Sequence, residues 1–220
     1  MELIKKYFPH FSDEQLTKLA ALPVLYKDWN SMINVISRKD IEHFEIRHML
    51  HSLAVAKYVI SASKDGKGFP DGATVIDVGC GGGFPSIPLA IAFPNVKFTA
   101  MDSIGKKIKV VEGVVSALGL TNVEPIQARS TDVHDRKWDY MVSRAVTAFP
   151  DFVRQTKHLI KGHSATDEMD FILPHGTFYL KGGDFKAEVN PFGTRAKVQN
   201  ISEWFDDEFF ETKCVIFLKQ

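Results

Sequence analysis

Cysteine and long apolar runs are scarce in this chain. Two cysteines, Cys80 and Cys214, among 220 residues are too few for the disulfide framework of a small secreted domain. No apolar stretch reaches the ~18 residues of a membrane-spanning helix, and the N-terminal sequence MELIKKYFPHFSDEQ has no apolar segment of the signal-peptide type. These absences predict a soluble, cytoplasmic protein with no membrane partner.

An excess of either charge is also absent. The 27 lysine and arginine residues equal the 27 aspartate and glutamate residues in number, which argues against a protein that coats nucleic acid by charge alone. The distribution is uneven, because residues 103–161 hold 10 basic and 6 acidic side chains whereas residues 162–220 hold 6 and 10. A local basic face that contacts RNA is therefore compatible with the neutral total.

Helical patterns fill the first 60 residues. Ser12 and Gln15 have the spacing of a capping box. An apolar stripe at helical spacing follows: Leu25, Trp29, Met32 and Ile36. Residues 61–72 are rich in glycine, serine, aspartate and proline, as is typical of a linker. We therefore expect an N-terminal helical extension with its linker over 1–72 and a separate domain over 73–220.

Strand and helix patterns alternate after residue 72. Short apolar runs predict seven strands, at 74–78, 96–101, 123–128, 138–144, 176–182, 196–201 and 214–220. Helical patterns lie at 85–93, 108–119 and 149–160, and a long polar connection covers 163–176. This alternation predicts an α/β fold with a doubly wound, mostly parallel seven-stranded sheet of the Rossmann-like type.

Four glycines in five positions follow the first predicted strand, in VIDVGCGGGF (75–84). The spacing is not that of a dinucleotide fingerprint, because the third glycine position, counted from Gly79, is Phe84. It is not a phosphate-binding loop either, since no lysine follows the glycines. The pattern that fits is D-x-G-x-G-x-G, from Asp77 to Gly83, in which glycine lets the backbone approach a ligand closely.

Asp102 ends the next predicted strand, 25 residues after Asp77. A carboxylate at this place can accept hydrogen bonds from both hydroxyls of a ribose. The alternative for Asp102 is a cap for the helix that follows it. The glycine loop and the acid together indicate an adenosine ligand without a pyrophosphate, namely S-adenosylmethionine. The cofactor-binding candidates from this pattern are Asp77, Gly79, Gly81, Gly83 and Asp102.

Six segments resemble the bacterial 16S ribosomal RNA (guanine-N7) methyltransferase family, also called glucose-inhibited division protein B. They are LYKDWNSMINVIS (25–37), RHMLHSLAVAKY (47–58), VIDVGCGGGFPSIPLAI (75–91), MDSIGKKIKVVEGV (101–114), YMVSRAV (140–146) and YLKGGD (179–184). The resemblance implies the class I S-adenosylmethionine methyltransferase fold and methylation of N7 of guanine 527, in the 530 loop of 16S ribosomal RNA. It also implies a monomer that acts on the small ribosomal subunit or on an assembly intermediate.

The resemblance also implies a set of cofactor contacts. Carried over position by position, they fall on Gly79, Phe84, Ser130, Thr131 and Arg144. The family often has Ala-Glu where this chain has the Ser130-Thr131 pair, and it often has Asp where this chain has His51.

The chemistry of this reaction requires alignment more than proton transfer. Guanine N7 carries an in-plane lone pair, so it can attack a methyl group without first losing a proton, and no general base is obligatory. The fourth predicted strand leads into Ser143-Arg144-Ala145-Val146, which differs from the N/D-P-P-Y stretch of exocyclic-amine methylases. Neither cysteine precedes a proline, as a cytosine-C5 nucleophile usually does. Arg144 is therefore the candidate catalytic residue, in a positioning role.

Basic residues supply the candidates for RNA contact: Arg38, Lys39, Arg47, Lys106, Lys107, Lys109 and Lys181. For any single lysine the alternative is a solvated surface. His48 and His51 are three apart on a predicted helix, but without a third ligand no metal site is expected. Two other functions stay open: methylation of another RNA position or of a small molecule, and cofactor binding without catalysis.

Overall fold

Seven strands form one sheet in the computed structural model, which describes residues 1–37, 39–144, 146–162 and 174–220. They are β1 (Thr74–Val78), β2 (Lys97–Asp102), β3 (Val123–Gln127), β4 (Tyr140–Arg144), β5 (Gly176–Gly182), β6 (Ala196–Asn200) and β7 (Lys213–Lys219). The order across the sheet is β3-β2-β1-β4-β5-β7-β6. β7 runs antiparallel to β5 and β6, and the other neighbours are parallel. The predicted doubly wound, mostly parallel seven-stranded sheet is confirmed.

The described helices alternate with these strands and precede them. They are α1 (Glu2–Tyr7), α2 (Asp13–Met32), α3 (His51–Ala62), α4 (Ser86–Ala92), α5 (Gly105–Leu118), α6 (Phe149–Thr156) and α7 (Lys186–Val189). A π-helical turn, Glu45–Leu50, leads into α3. Shorter 3₁₀ turns are Ile41–His43, Ser130–Asp132, Lys157–Leu159, Asn190–Arg195, Ile201–Glu203 and Glu208–Phe210. The polar connection predicted at 163–176 lies outside the described residues as far as residue 173. Across the described ranges, no helix combines the length and apolar character needed to cross a bilayer.

Alternate residues of β1 face two hydrophobic clusters, one on each side of the sheet. Val75 belongs to the larger cluster, which includes buried side chains from α1 to α5. Ile76 belongs to the smaller cluster, with Phe149 and Phe152 of α6. Because the side chains of a strand point alternately to opposite faces, a strand that is apolar on both faces needs helices on both, as the continuous apolar run TVIDV predicts.

The capping box at the start of α2 forms as predicted. The Ser12 hydroxyl accepts from the Gln15 amide at 3.2 Å, and the Gln15 side chain accepts from the Ser12 amide at 2.8 Å. The predicted stripe is wrong at its far end, because α2 stops at Met32, whose side chain is 69% exposed. The Asn30 side chain explains the stop: its oxygen accepts from the amides of Val35 and Ile36 and turns the chain away from the helix.

The N-terminal segment packs onto the sheet domain without a break in the core. Phe8, Tyr26 and Leu53 share one cluster with Val75 and Phe98. Helices α2 and α5 pack closely at Gly113, where an added Cβ atom would lie 2.0 Å from the Trp29 ring. The division at residue 72 stays a prediction, because the two segments bury a common apolar surface.

The contact between Trp29 and Gly113 gives the first prediction. In an isolated helix, Gly113→Ala would add ~1 kcal/mol of stability through helix propensity. Here we expect a loss of about 1–3 kcal/mol, because the added methyl group overlaps the indole ring. Urea unfolding measures the change in the free energy of unfolding and shows whether it is a gain or a loss. In a Trp29→Leu background, which makes room, the same substitution should become neutral or stabilising; a loss of equal size there would contradict the steric explanation.

Candidate active site

A cleft of about 630 Å³ opens where the chain order of the sheet reverses, between β1 and β4. Its walls are formed at and just beyond the carboxyl ends of β1, β2, β3 and β4, where open α/β sheets bind ligands, and by Gln155 of α6. The lining residues are Val78, Gly79, Met101, Asp102, Ser103, Ile104, Lys107, Ala128, Arg129, Ser130, Thr131, Arg144, Val146 and Gln155. The cleft therefore brings together Gly79, Asp102 and Arg144, three of the predicted site residues from separate parts of the chain.

The glycine loop is shaped by left-handed backbone at Gly79, Gly81 and Gly83, with φ of 72°, 58° and 101°. Of these three, Gly79 lines the cleft, and a Cβ atom there would lie 2.7 Å from a methyl group of Val146. The amide of Gly79 donates to the Met101 carbonyl at 2.8 Å, which ties the loop to β2. Gly81 and Gly83 lie away from the cleft wall and permit the turn.

Asp77 lies behind the glycine loop. Its side chain is fully buried, and one carboxylate oxygen accepts from the Ser86 amide at 2.9 Å, at the first residue of α4. The other oxygen has no hydrogen-bond partner among the described residues. Burial raises the pKa of Asp77 to about 7, although the hydrogen bonds from Ser86 and the charge of Arg144 act in the opposite direction. The hydrogen bond of Asp77 is therefore with the residue at which the glycine loop ends and α4 begins.

Asp102 fits both interpretations that its place in the sequence allowed. One carboxylate oxygen accepts from the Gly81 amide at 3.0 Å, and the other accepts from the Ile104 amide at 2.9 Å, just before α5. The Lys107 ammonium lies 3.7 Å from the first oxygen. These two hydrogen bonds hold the carboxylate between the glycine loop and α5. The same carboxylate lines the cleft.

The guanidinium of Arg144 joins the sheet to the N-terminal segment. One of its nitrogens, Nη2, lies 3.1 Å from Nδ1 of His48, and Nη1 donates to the Arg47 carbonyl at 3.3 Å. The guanidinium carbon lies 5.2 Å from the centre of the Phe84 ring, a cation–π distance. Burial lowers the pKa of Arg144 to about 10, so the group is still a cation at neutral pH.

The structure places Phe84 behind the cleft. Its side chain is 3% exposed and is packed against the rings of Tyr26, Phe44 and His48. It is not among the residues that line the cleft. Phe84 contacts the site through its ring, which lies against the guanidinium of Arg144. A direct contact between Phe84 and the cofactor stays a prediction.

The loop after β3 forms the far wall of the cleft. Ser130 and Thr131 line it in a short 3₁₀ turn, and the cofactor contact that the family resemblance implies for them stays a prediction. The His158 ring contacts the carbonyls of Ser130 and Val133, each at 3.1 Å, from behind. These contacts hold the turn against the rest of the domain.

The predicted RNA-contacting residues lie in different environments. Lys39, Lys106 and Lys109 are exposed, whereas Arg38 lies outside the described residues. Arg47 is paired with Asp40 at 2.7 Å. Lys107 lines the cleft beside Asp102, which sequence reasoning did not anticipate.

Lys181, a candidate for RNA contact, is partly buried and forms an ion pair. Its side chain is 15% exposed, and its ammonium donates to Glu188 at 2.8 Å. The same Glu188 oxygen accepts from the Phe149 amide at the start of α6. Lys181 therefore helps to hold the chain that follows β4, and an RNA contact by it stays a prediction.

Several cleft residues escaped sequence reasoning: Ile104, Arg129, Val146 and Gln155. Ile104 and Val146 are 48% and 49% exposed, which is unusual for large apolar side chains in this protein. Their position in the sequence could have indicated the first three, because each lies within two residues of the end of a strand. No group of three or more metal-binding side chains occurs within the described ranges.

Two buried histidines and one buried carboxyl group titrate abnormally. Burial, with the charge of Arg144, lowers the pKa of His48 to about 3 and that of His51 well below its usual range. Unfolding exposes both rings, which then bind protons below about pH 6.5. Asp77 acts in the opposite sense, because its pKa of about 7 lets the folded state hold a proton that the unfolded chain binds only near pH 4.

The second prediction is a loss of stability in mild acid. Between about pH 6 and pH 4.5, unfolding takes up two protons at His48 and His51 and releases one from Asp77, so these three groups together lower the free energy of unfolding by about 1.4 kcal/mol per pH unit as the pH drops. Asp77→Asn should steepen the measured slope by about this amount, and His51→Gln should reduce it by about as much. Urea unfolding at several pH values measures the slopes, and three equal slopes would contradict the assignment.

The sheet, the glycine loop after β1 and the carboxylate at the end of β2 define a class I S-adenosylmethionine-dependent methyltransferase. A precorrin-6y C5,15-methyltransferase from Geobacter metallireducens has the same fold, with a TM-score of 0.52 at 10% identity over 86% of this chain and 92% of its own. The chain belongs to the GidB family, described as rRNA small subunit methyltransferase G, whose model matches residues 15–200.

Full-length relatives agree with this family. A ribosomal RNA small subunit methyltransferase G from Flavobacterium psychrophilum is 49% identical over 98% of this chain and 96% of its own. The protein of that name from Christiangramia forsetii is 45% identical over 99% of this chain and 96% of its own. The family, the methyltransferase class and the cofactor expected from the sequence are confirmed.

The residues present fit the cofactor. Gly79 presents backbone without a side chain at the cleft, where a Cβ atom would overlap Val146, and the Asp102 carboxylate lines the same cleft. We expect Asp102→Ala to weaken S-adenosylmethionine binding at least tenfold, because charged hydrogen bonds contribute roughly 1.5–3 kcal/mol each. Calorimetry measures the affinity. Lys97→Ala, at the opposite end of β2, is the matched control; unchanged affinity in a folded Asp102→Ala protein would contradict the assignment.

Proposed function

We propose that this enzyme methylates N7 of a single guanine in 16S ribosomal RNA, guanine 527 in the 530 loop. The observation that carries the proposal is the composition of the cleft. Among the described residues that line it, Asp102 is the one carboxylate, and histidine, cysteine and tyrosine are absent. Because Asp102 already accepts two backbone hydrogen bonds, the cleft suits a nucleophile that needs no base. Family membership supports ribosomal RNA as the substrate.

The mechanism follows from what the chain's own groups can do. S-adenosylmethionine, when bound, supplies a methyl group on a positively charged sulfur. Gly79 and Asp102 give its site a backbone surface without a side chain and a fixed acceptor. Arg144 lines the cleft, contacts His48 and Phe84, and is the residue that we propose orients the guanine. Alignment of this kind contributes up to ~7–11 kcal/mol of rate acceleration, and no proton has to move before the attack.

Exposed basic side chains support contact with the RNA backbone. Lys39, Lys106, Lys109 and Arg129 are exposed, and Arg129 lines the cleft itself. Phosphate contacts of this kind position an RNA without reading its sequence. We propose that the substrate is the RNA within the small subunit or an assembly intermediate, and that the enzyme acts as a cytoplasmic monomer.

The fourth prediction identifies the product. Methylation of N7 makes the base cationic and labile, so borohydride reduction followed by aniline cuts the strand at that guanine. We expect one cut in 16S RNA, dependent on added S-adenosylmethionine and on the enzyme. Arg144→Ala should reduce the cut at least tenfold through misalignment, whereas Val198→Ala, an exposed valine on β6, should not.

The same experiment separates the proposal from its alternatives. Unmethylated small subunits, assembly intermediates and free 16S RNA are offered as substrates in parallel. Cuts at many guanines, or a methyl group found by mass spectrometry on an exocyclic amine, a ribose oxygen or carbon five of cytosine, would contradict the proposal. Methylation of none of the three RNA preparations would direct attention to a small-molecule substrate.

A further inference from the structure

The imidazole of His48 lies directly against the guanidinium of Arg144. Its Nδ1 is 3.1 Å from Nη2 of Arg144. A guanidinium has donors and no acceptor, so Nδ1 accepts this hydrogen bond and the ring proton resides on Nε2. The contact therefore requires a neutral imidazole. The depressed pKa of His48, about 3, agrees with this requirement across the physiological range.

The ring of His48 is held on both sides. It stacks on Phe44 with the centroids 5.6 Å apart, and it packs against Phe84 at 5.1 Å. The side chain of the preceding residue, Arg47, donates a hydrogen bond to Asp40 at 2.7 Å. The Arg47 carbonyl oxygen accepts a hydrogen bond from Nη1 of Arg144. The π-helical turn Glu45–Leu50 thus offers two adjacent acceptors, a ring nitrogen and a carbonyl oxygen, to one guanidinium.

Charged and titratable groups surround this contact. Arg144 and Arg47 are the cations, Asp40 and Asp77 are the carboxylates, and His51 is the other buried histidine. None of the carboxylates pairs with Arg144 among the described residues, because Asp40 bonds to Arg47 and Asp77 bonds to the Ser86 amide. The direction in which Arg144 points is therefore set by neutral partners, and a change in His48 leaves no second side-chain acceptor in place.

We propose that His48 is a positioning residue: as a neutral acceptor, it fixes the orientation of the Arg144 guanidinium at the edge of the cleft. The N-terminal segment thereby contributes to methyl transfer without touching the reacting atoms. The proposal rests on the proposed function for its catalytic consequence, but the orientation of Arg144 is a property of the protein that can be observed separately.

Three variants test the role of His48. His48→Leu removes the acceptor and keeps an apolar side chain, and His48→Asn keeps an acceptor oxygen near the place of Nδ1. Tyr58→Leu is the control, because Tyr58 on α3 is buried to a similar 8% exposure but packs on Phe178 and Phe217. Urea unfolding reports the stability of each variant, and calorimetry reports its affinity for S-adenosylmethionine.

We expect His48→Leu to lower kcat on small-subunit RNA at least tenfold, with KM for RNA and cofactor affinity changed less than threefold. His48→Asn should recover kcat to within threefold of the unsubstituted enzyme. An unaffected kcat in His48→Leu, an asparagine variant as slow as the leucine variant at equal stability, or an equal loss in Tyr58→Leu would overturn the proposal.

A second measurement does not depend on activity. In ¹⁵N-edited NMR, the Nη protons of a guanidinium that is fixed by two acceptors rotate slowly and give separate signals, which Arg144→Lys assigns by their loss. We expect these signals in the unsubstituted protein and in His48→Asn, and their loss in His48→Leu. Signals that persist in His48→Leu would overturn the proposal. If the unsubstituted enzyme methylates no ribosomal RNA, the proposed function fails, and the NMR signals still decide what positions Arg144.

Discussion

The partly buried charge of Arg144 is the constraint on which the arrangement of the cleft depends. Taking a cation out of water is costly unless hydrogen bonds or opposite charges compensate it. Among the described residues, the direct contacts of the guanidinium are neutral: an imidazole nitrogen, a backbone carbonyl and the face of Phe84. Asp77 and Asp40 compensate from a greater distance. These contacts use two of the five guanidinium donors, and Arg144 is one of the residues that line the cleft.

The N-terminal segment is needed for this arrangement because it supplies most of the partners. Arg47 and His48 provide the acceptors, and Phe44 and Tyr26 pack around Phe84. Tyr26 also donates to the Gly82 carbonyl, so the same helix that packs on the sheet domain holds the glycine loop from outside. The glycine loop, which is flexible in composition, is thereby held by a residue 56 positions earlier in the chain.

Elements that depend on local sequence were predictable, and those that depend on distant contacts were not. The strands, the glycine turn and Asp102 follow from residues adjacent in sequence, and the structure has them within a few positions. The early end of α2 depends on where the Asn30 side chain finds its donors, and the pairing of Lys181 depends on a helix that begins five residues later. Neither periodicity nor strand-end position contains that information.

The position of Phe84 has the same physical origin. A residue that directly follows a glycine loop is expected at the ligand, yet an aromatic ring gains more by burial among other rings. Tyr26, Phe44 and His48 converge there from the N-terminal segment, and their convergence could not be read from spacing. The ring then stabilises the site through its contact with Arg144.

The charges of the cleft also bear on how the proposed reaction ends. Lys107, Arg129 and Arg144 line it together with the single carboxylate of Asp102. Methyl transfer moves the positive charge from the sulfur of the cofactor to the base, where the unreacted guanine was neutral. In the proposed function, the product base would lie beside a guanidinium that contacts no carboxylate among the described residues, and repulsion between like charges in a partly buried site is stronger than in water. A fixed cation that orients a neutral guanine would thus disfavour the methylated base and promote its release.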